Sequence, residues 1–144
     1  MTLKKLRPFI FAFLVPLGFC NVYAQNRDML FPEKPGLVSY TYRKDFEKDV
    51  PSTLDKIKAI GITDMEFSNL FGKTASELRK LIDERGIKCS SFGVSYSDLV
   101  SKTAEVAQKA KILGADYVRV AGIPHKAAFT VEEAQRAIDD FNQA

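Results

Sequence analysis

The chain has 144 residues, is 46% hydrophobic and 27% charged, and contains no Trp, which makes it an ordinary globular chain and excludes a disordered or collagen-like one. Lys and Arg outnumber Asp and Glu by 21 to 18, yet the first 24 residues hold Lys4, Lys5 and Arg7 and no acid. The remainder is balanced at 18 to 18, so nothing in it calls for nucleic acid or an anionic membrane surface as a partner.

The opening MTLKKLRPFIFAFLVPLGFCNVYAQ joins a basic start to an apolar run from Pro8 to Phe19 and a small-residue exit at Val22-Tyr23-Ala24. This is the layout of a secretory signal peptide, residues 1–24, with cleavage expected after Ala24 and a periplasmic or secreted destination. A membrane-spanning helix needs roughly 20 apolar residues. This run has 12 and contains Pro16, so no membrane anchor is expected after processing. Phe19 stands before Cys20 where a lipidation signal wants a small residue. The processed chain then keeps one cysteine, Cys89, and can form no internal disulfide.

Residues 25–35 form a polar lead-in with two prolines. From Gly36 the chain alternates. GLVSYTYR (36–43) is β-prone, and PSTLDKIKAIG follows with Leu54, Ile57 and Ile60 on one helical face. ITDMEFS reads as the second strand. Thr74-Ala75-Ser76-Glu77 is a capping box opening a helix that buries Leu78, Leu81 and Ile82. IKCSSFGVSY is the third strand running into a loop, and the helix after it carries Ala104, Ala107, Ala110 and Leu113 inward. ADYVRVAG is the fourth strand. Its helix starts at Thr130, with Glu133 completing a second capping box, and buries Ala134, Ala137, Ile138 and Phe141. Gly61, Gly86 and Gly114, spaced by 25 and 28 residues, each end a helix and lead directly into a strand.

Strands separated by helices of this length run parallel. An open doubly wound sheet and a closed (β/α)8 barrel both satisfy the pattern. The open sheet usually places a Gly-rich phosphate turn after its first strand, where this chain has YTYRKDFEKDVP, so the barrel is favoured.

The strings GLVSYTYR, TLDKIKAIGITDMEFS, LRKLIDERGIKCSSFGVSYSDL and AQKAKILGADYVRVAGIPHK, in this order, resemble the start of secreted bacterial sugar phosphate isomerase/epimerase proteins of the xylose isomerase-like barrel family. The resemblance covers about residues 36 to 142. It implies an α/β fold, the N-terminal half of a (β/α)8 TIM barrel with four parallel βα units over residues 36–144. It also implies isomerisation or epimerisation of a sugar or sugar phosphate by enediolate-type proton transfer with a divalent metal (Mn, Mg or Zn). Two Glu, an Asp and a His at the ends of the fifth to eighth strands usually hold that metal. No position here matches them, so neither metal ligands nor catalytic residues are assigned, and this chain alone is expected to hold no metal. A barrel of this kind runs to about 250 residues, and four strands alone leave two open edges and an inner face without an opposite wall. The expectation is a missing C-terminal half or a homo-oligomer.

The candidate substrate-binding residues are Glu66, His125, Tyr40, Arg43, Arg119 and Phe92. Glu66 closes the second strand at the end where barrel active sites lie; it can accept sugar hydroxyls or help a metal, or be a structural carboxylate paired with Lys or Arg. His125, the one histidine, follows Gly122-Ile123-Pro124 just past the fourth strand, where it can serve a sugar oxygen or be a plain loop residue. Tyr40, Tyr42 and Arg43 crowd the end of the first strand, offering rings to stack on sugar faces and a guanidinium for phosphate or carboxylate, unless one tyrosine packs under the first helix and Arg43 is solvated. Phe92 and Tyr96 on the third loop would share that mouth. Arg119 is unusual in a parallel strand, normally apolar on both faces; it points toward Glu66 or sits at a rim. The leading reading is an exported isomerase/epimerase-like half barrel, inactive alone; the alternative is a non-catalytic carbohydrate-binding or interaction module acting as a half-barrel homodimer.

Overall fold

A computed structural model describes residues 34–144; the expected signal peptide and most of the lead-in lie outside the described residues. Four parallel strands form one sheet in the order β1-β2-β3-β4, with β1 at Leu37–Val38, β2 at Asp64–Phe67, β3 at Lys88–Val94 and β4 at Tyr117–Val120. Between them run α1 (Arg43–Phe46), α2 (Val50–Ala59), α3 (Ala75–Asp83), α4 (Tyr96–Ser101) and α5 (Thr103–Leu113), and α6 (Val131–Gln143) follows β4.

The core lies on one face of the sheet. Met65 and Phe67 of β2 are fully buried against Leu54 and Ile57 of α2, Leu78 and Ile82 of α3, and Leu113 of α5, all in one apolar cluster. Because successive side chains of a strand point to opposite faces, Glu66 between Met65 and Phe67 turns away from the helices. In β3 the alternation is broken: Met65 pairs with Cys89 and Glu66 with Ser91, leaving Ser90 as the extra residue of a bulge. Cys89 and Phe92, three positions apart, therefore both face the helical core. A bulge shifts a strand's side chains by one face.

Helix ends follow the sequence closely. Thr74 and Glu77 cap α3 reciprocally, and Thr130 and Glu133 do the same for α6. Asp49, unanticipated, accepts the Ser52 amide at 2.8 Å and starts α2. Gly61, Gly86 and Gly114 all have positive φ. Gly114 is the most constrained: φ is +69°, and an added Cβ would lie 2.5 Å from Arg79 Nη1. That nitrogen donates to the Leu113 carbonyl at 2.8 Å while Nε of the same residue donates to Asp83. Arg79 thus ties α3 to the open carbonyl end of α5, the place where a cation is favoured by the helix dipole.

Several expected faces are turned. Ile60 is 62% exposed because it lies past the last turn of α2. In α5 the buried stripe is Val106, Ala110 and Leu113, leaving Ala104 and Ala107 exposed. The expected loop after β3 holds α4, whose N-cap Ser95 accepts the Asp98 amide. Helix α6 buries Ala137, whereas Ile138 is half exposed and Phe141 packs its ring edge-on against Tyr96 of α4. The first strand is only two residues long, since from Ser39 the backbone coils into a 3-10 turn over Ser39–Tyr42. Along β4, Tyr117 and Val118 are exposed on opposite faces.

The fully buried Ser39 fastens that turn to the end of β2. Its Oγ accepts the Ser68 amide and shares a hydrogen bond with Ser68 Oγ, both at 2.8 Å. Ser39→Ala leaves the Ser68 amide without its acceptor and is expected to lower stability by about 1–2 kcal/mol in urea unfolding, whereas Ser68→Ala keeps that amide bond and costs less. Gly114→Ala is expected to cost about 2 kcal/mol, combining left-handed strain with a displaced Arg79. Gly61→Ala meets nothing within 4 Å and should cost about 1 kcal/mol; equal losses for the two glycines would show that Arg79 contributes nothing.

Candidate functional site

The carboxyl ends of the four strands converge on a depression of about 400 Å³ lined by Val38, Tyr40, Ser68, Gly93, Arg119 and Ala121 among others. Arg119 of β4 lies beside Gly93 of β3 and reaches across β3 to Glu66 of β2. Its Nε donates to Glu66 Oε1 at 2.7 Å, and its Nη2 lies 2.6 Å from the same oxygen. The Glu66 side chain is 13% exposed and that of Arg119 is 44% exposed, so the carboxylate is the sheltered partner and the guanidinium its solvent-facing lid. Oε2 takes no hydrogen bond from the described residues. Of the five N–H donors of a guanidinium, those outside this contact have no acceptor among the described residues. The pair therefore presents one sheltered acceptor next to several donors, a pattern that matches a hydroxyl-bearing ligand better than an apolar one.

Gly93 is buried between these residues, and a Cβ there would stand 3.0 Å from the Ser68 Cα. A side chain at 93 would push the ends of β2 and β3 apart. With the Ser39–Ser68 tie, this close approach sets the spacing of the strand ends that carry Glu66 and frame the depression.

The other candidates scatter. Tyr40 lines the depression and is 59% exposed. The Arg43 guanidinium covers its ring at 4.3 Å from the centroid and donates to the Tyr40 carbonyl at 3.1 Å, so Arg43 is occupied with its own turn. Tyr42 packs against the core. Phe92 is 4% exposed in that core, turned there by the bulge at Ser90. Tyr96 opens α4 and donates its hydroxyl to Asp140 of α6, a contact that raises the phenol's pKa. His125 bonds the Ala127 carbonyl through Nδ1 at 2.7 Å and packs edge-on against Phe129, contacts within its own loop. Cys89 is fully buried, and that burial pushes its thiol up to about 11, so at neutral pH it is protonated and a poor nucleophile.

A second depression, about 510 Å³, abuts the first. The two share Ser68, Asn69, Gly93 and Val94, which form a sill between them. The far side of the second is a wall of Asp98, Lys102, Glu105 and Lys109. Sequence reasoning passed over this wall because its charges read as an ordinary solvated helix face; their shared spacing of three or four residues was the available signal.

The donor set does not suit the divalent metal implied by the family resemblance. Such ions take several oxygen or nitrogen ligands at once. Here Glu66 is held by a cation, and among the described residues no three His, Cys, Asp or Glu side chains cluster. No helix among the described residues is long and apolar enough to cross a membrane.

No family model and no curated protein matches the sequence. The structure is similar to the crystal structure of a sugar phosphate isomerase/epimerase from Parabacteroides distasonis ATCC 8503, with a TM-score of 0.57 and 20% sequence identity, over 80% of this chain and 47% of that one. The chain thus spans about half the length of the solved structure it matches. At this identity the likeness is one of fold: four parallel strands and their helices correspond to part of a TIM-barrel-like isomerase.

Proposed function

We propose that this chain is an exported, half-length sugar isomerase/epimerase-like protein whose strand ends bind a sugar or sugar phosphate. The observation that carries the reading is the Glu66–Arg119 pair, set at the carboxyl ends of parallel strands in a fold similar to a sugar phosphate isomerase/epimerase. Barrel enzymes place their active sites at that end, and fold alone does not assign chemistry; the pair supplies the chemical argument. A sugar hydroxyl can donate to Glu66 Oε2 while its neighbour accepts from Arg119. Arg119 meanwhile holds the carboxylate in place through its contact with Oε1. Proton transfer next to a carbonyl would belong to a completed barrel, and this chain's share is binding and orientation. The described residues form no metal cage, so what they contribute is hydrogen bonding to the sugar.

The homodimeric carbohydrate-binding module has one observation in its favour: β4 has an open edge, with Val118 still 39% exposed. A two-chain species in light scattering that binds sugar and turns nothing over is its signature.

The test is calorimetric titration of the purified chain with fructose, glucose and their 6-phosphates. Binding is expected, weakened about ten-fold or more by Arg119→Ala and by Glu66→Gln, a loss of roughly 1.4 kcal/mol, with circular dichroism unchanged. Binding untouched by both substitutions would remove Glu66 and Arg119 from the site. Turnover of a ketose by the chain alone with added manganese would overturn the half-length reading. Export predicts that mass spectrometry of the cell-made protein finds a chain beginning at Gln25.

A further inference from the structure

The two depressions differ from an anion site in one respect. Each cation lining them is already matched by a carboxylate. Arg119 is paired with Glu66, Lys102 lies 3.2 Å from Asp98, and Lys109 lies 2.5 Å from Glu105. The Ser95 hydroxyl and Lys102 hold Asp98 below the usual carboxylate range, and Lys109 does the same for Glu105, so both acids stay ionised at neutral pH. Arg43, the remaining cation near Tyr40, is stacked on that ring and lines neither depression.

A phosphate dianion approaching this surface meets a wall of zero net charge and gains no long-range attraction. To bind Lys102 or Lys109 it must displace a carboxylate already in contact. A neutral hydroxyl-rich molecule meets the opposite situation: alternating acceptors and donors from α4 into α5, with Asn69 on the sill and the apolar flanks of Leu70, Val94 and Val106 nearby. Neutral hydroxyls bond to either sign of charge without breaking the pairs. Each depression is by itself within the roughly 300–1,000 Å³ typical of a small-molecule site, and they meet at shared residues.

Resting on the sugar-binding reading above, we propose that the two depressions form one continuous surface for a neutral glycan of more than one ring. One ring sits at Glu66–Arg119 and the next crosses the Ser68–Asn69 sill onto the α5 wall. The ligand class is thereby narrowed from sugars in general to uncharged oligosaccharides, against monosaccharide phosphates.

The experiment titrates the full chain with glucose, glucose 6-phosphate, maltotriose and cellotriose. At least one trisaccharide is expected to bind ten-fold or more tighter than glucose, with glucose 6-phosphate no tighter than glucose. The Asp98→Asn, Glu105→Gln double variant, which leaves Lys102 and Lys109 unmatched, should raise affinity for glucose 6-phosphate about five-fold relative to that for glucose. If glucose binds and neither trisaccharide binds more tightly, or glucose 6-phosphate is the tightest ligand of the native chain, the extended site is refuted while the sugar-binding mouth stands. If none of the four binds, both readings fall.

Discussion

A parallel sheet covered by helices on one face must send every second side chain to the other, and that constraint organises this molecule. Met65 and Phe67 drive the packing of α2, α3 and α5; Glu66, fixed between them, is delivered to the uncovered face whatever its own preferences. A carboxylate so sheltered would be expensive without a counter-charge, and Arg119 supplies it from two strands away. The pair is then a by-product of core packing as much as a feature of the site. Removing the arginine strands a mostly shielded carboxylate, which is generally more damaging than removing both charges together.

The order of elements was legible because its signals are local. Stop glycines need only a left-handed backbone, and capping boxes need only a Thr and a Glu three residues apart. Both are visible in a short stretch of sequence and both occur as written at Gly61, Gly86, Gly114, Thr74 and Thr130. Side-chain direction was less legible wherever it depended on a neighbouring strand. Period-two reasoning from buried Cys89 puts Phe92 on the uncovered face; the extra Ser90 reverses it. Nothing in CSSFGV announces that bulge, which exists only relative to β2. The alanines of α5 illustrate a related blindness, since Ala is indifferent to burial and Val106 decides the stripe. GLVSYTYR has strand-like composition throughout, yet the backbone leaves the sheet at Ser39 because the buried hydroxyl satisfies the Ser68 amide in place of another strand residue.

The candidate site was legible in part, and for the same reason. Glu66 and Arg119 stood out as charges inside strands, where burial makes charge conspicuous. The second depression did not, because it is assembled from α4, α5 and the ends of β2 and β3, and its charged wall looks like any amphipathic surface. His125 drew notice for its rarity, but the loop that carries it is organised around Ala127 and Phe129.

Cys89 has a use that follows from its placement alone. It sits in the middle strand pair, fully covered, with a thiol that burial keeps protonated. An alkylating reagent can reach that sulfur only in molecules whose sheet has momentarily come apart, so the pace of its modification is a clock for how often the fold breathes, read without any added label.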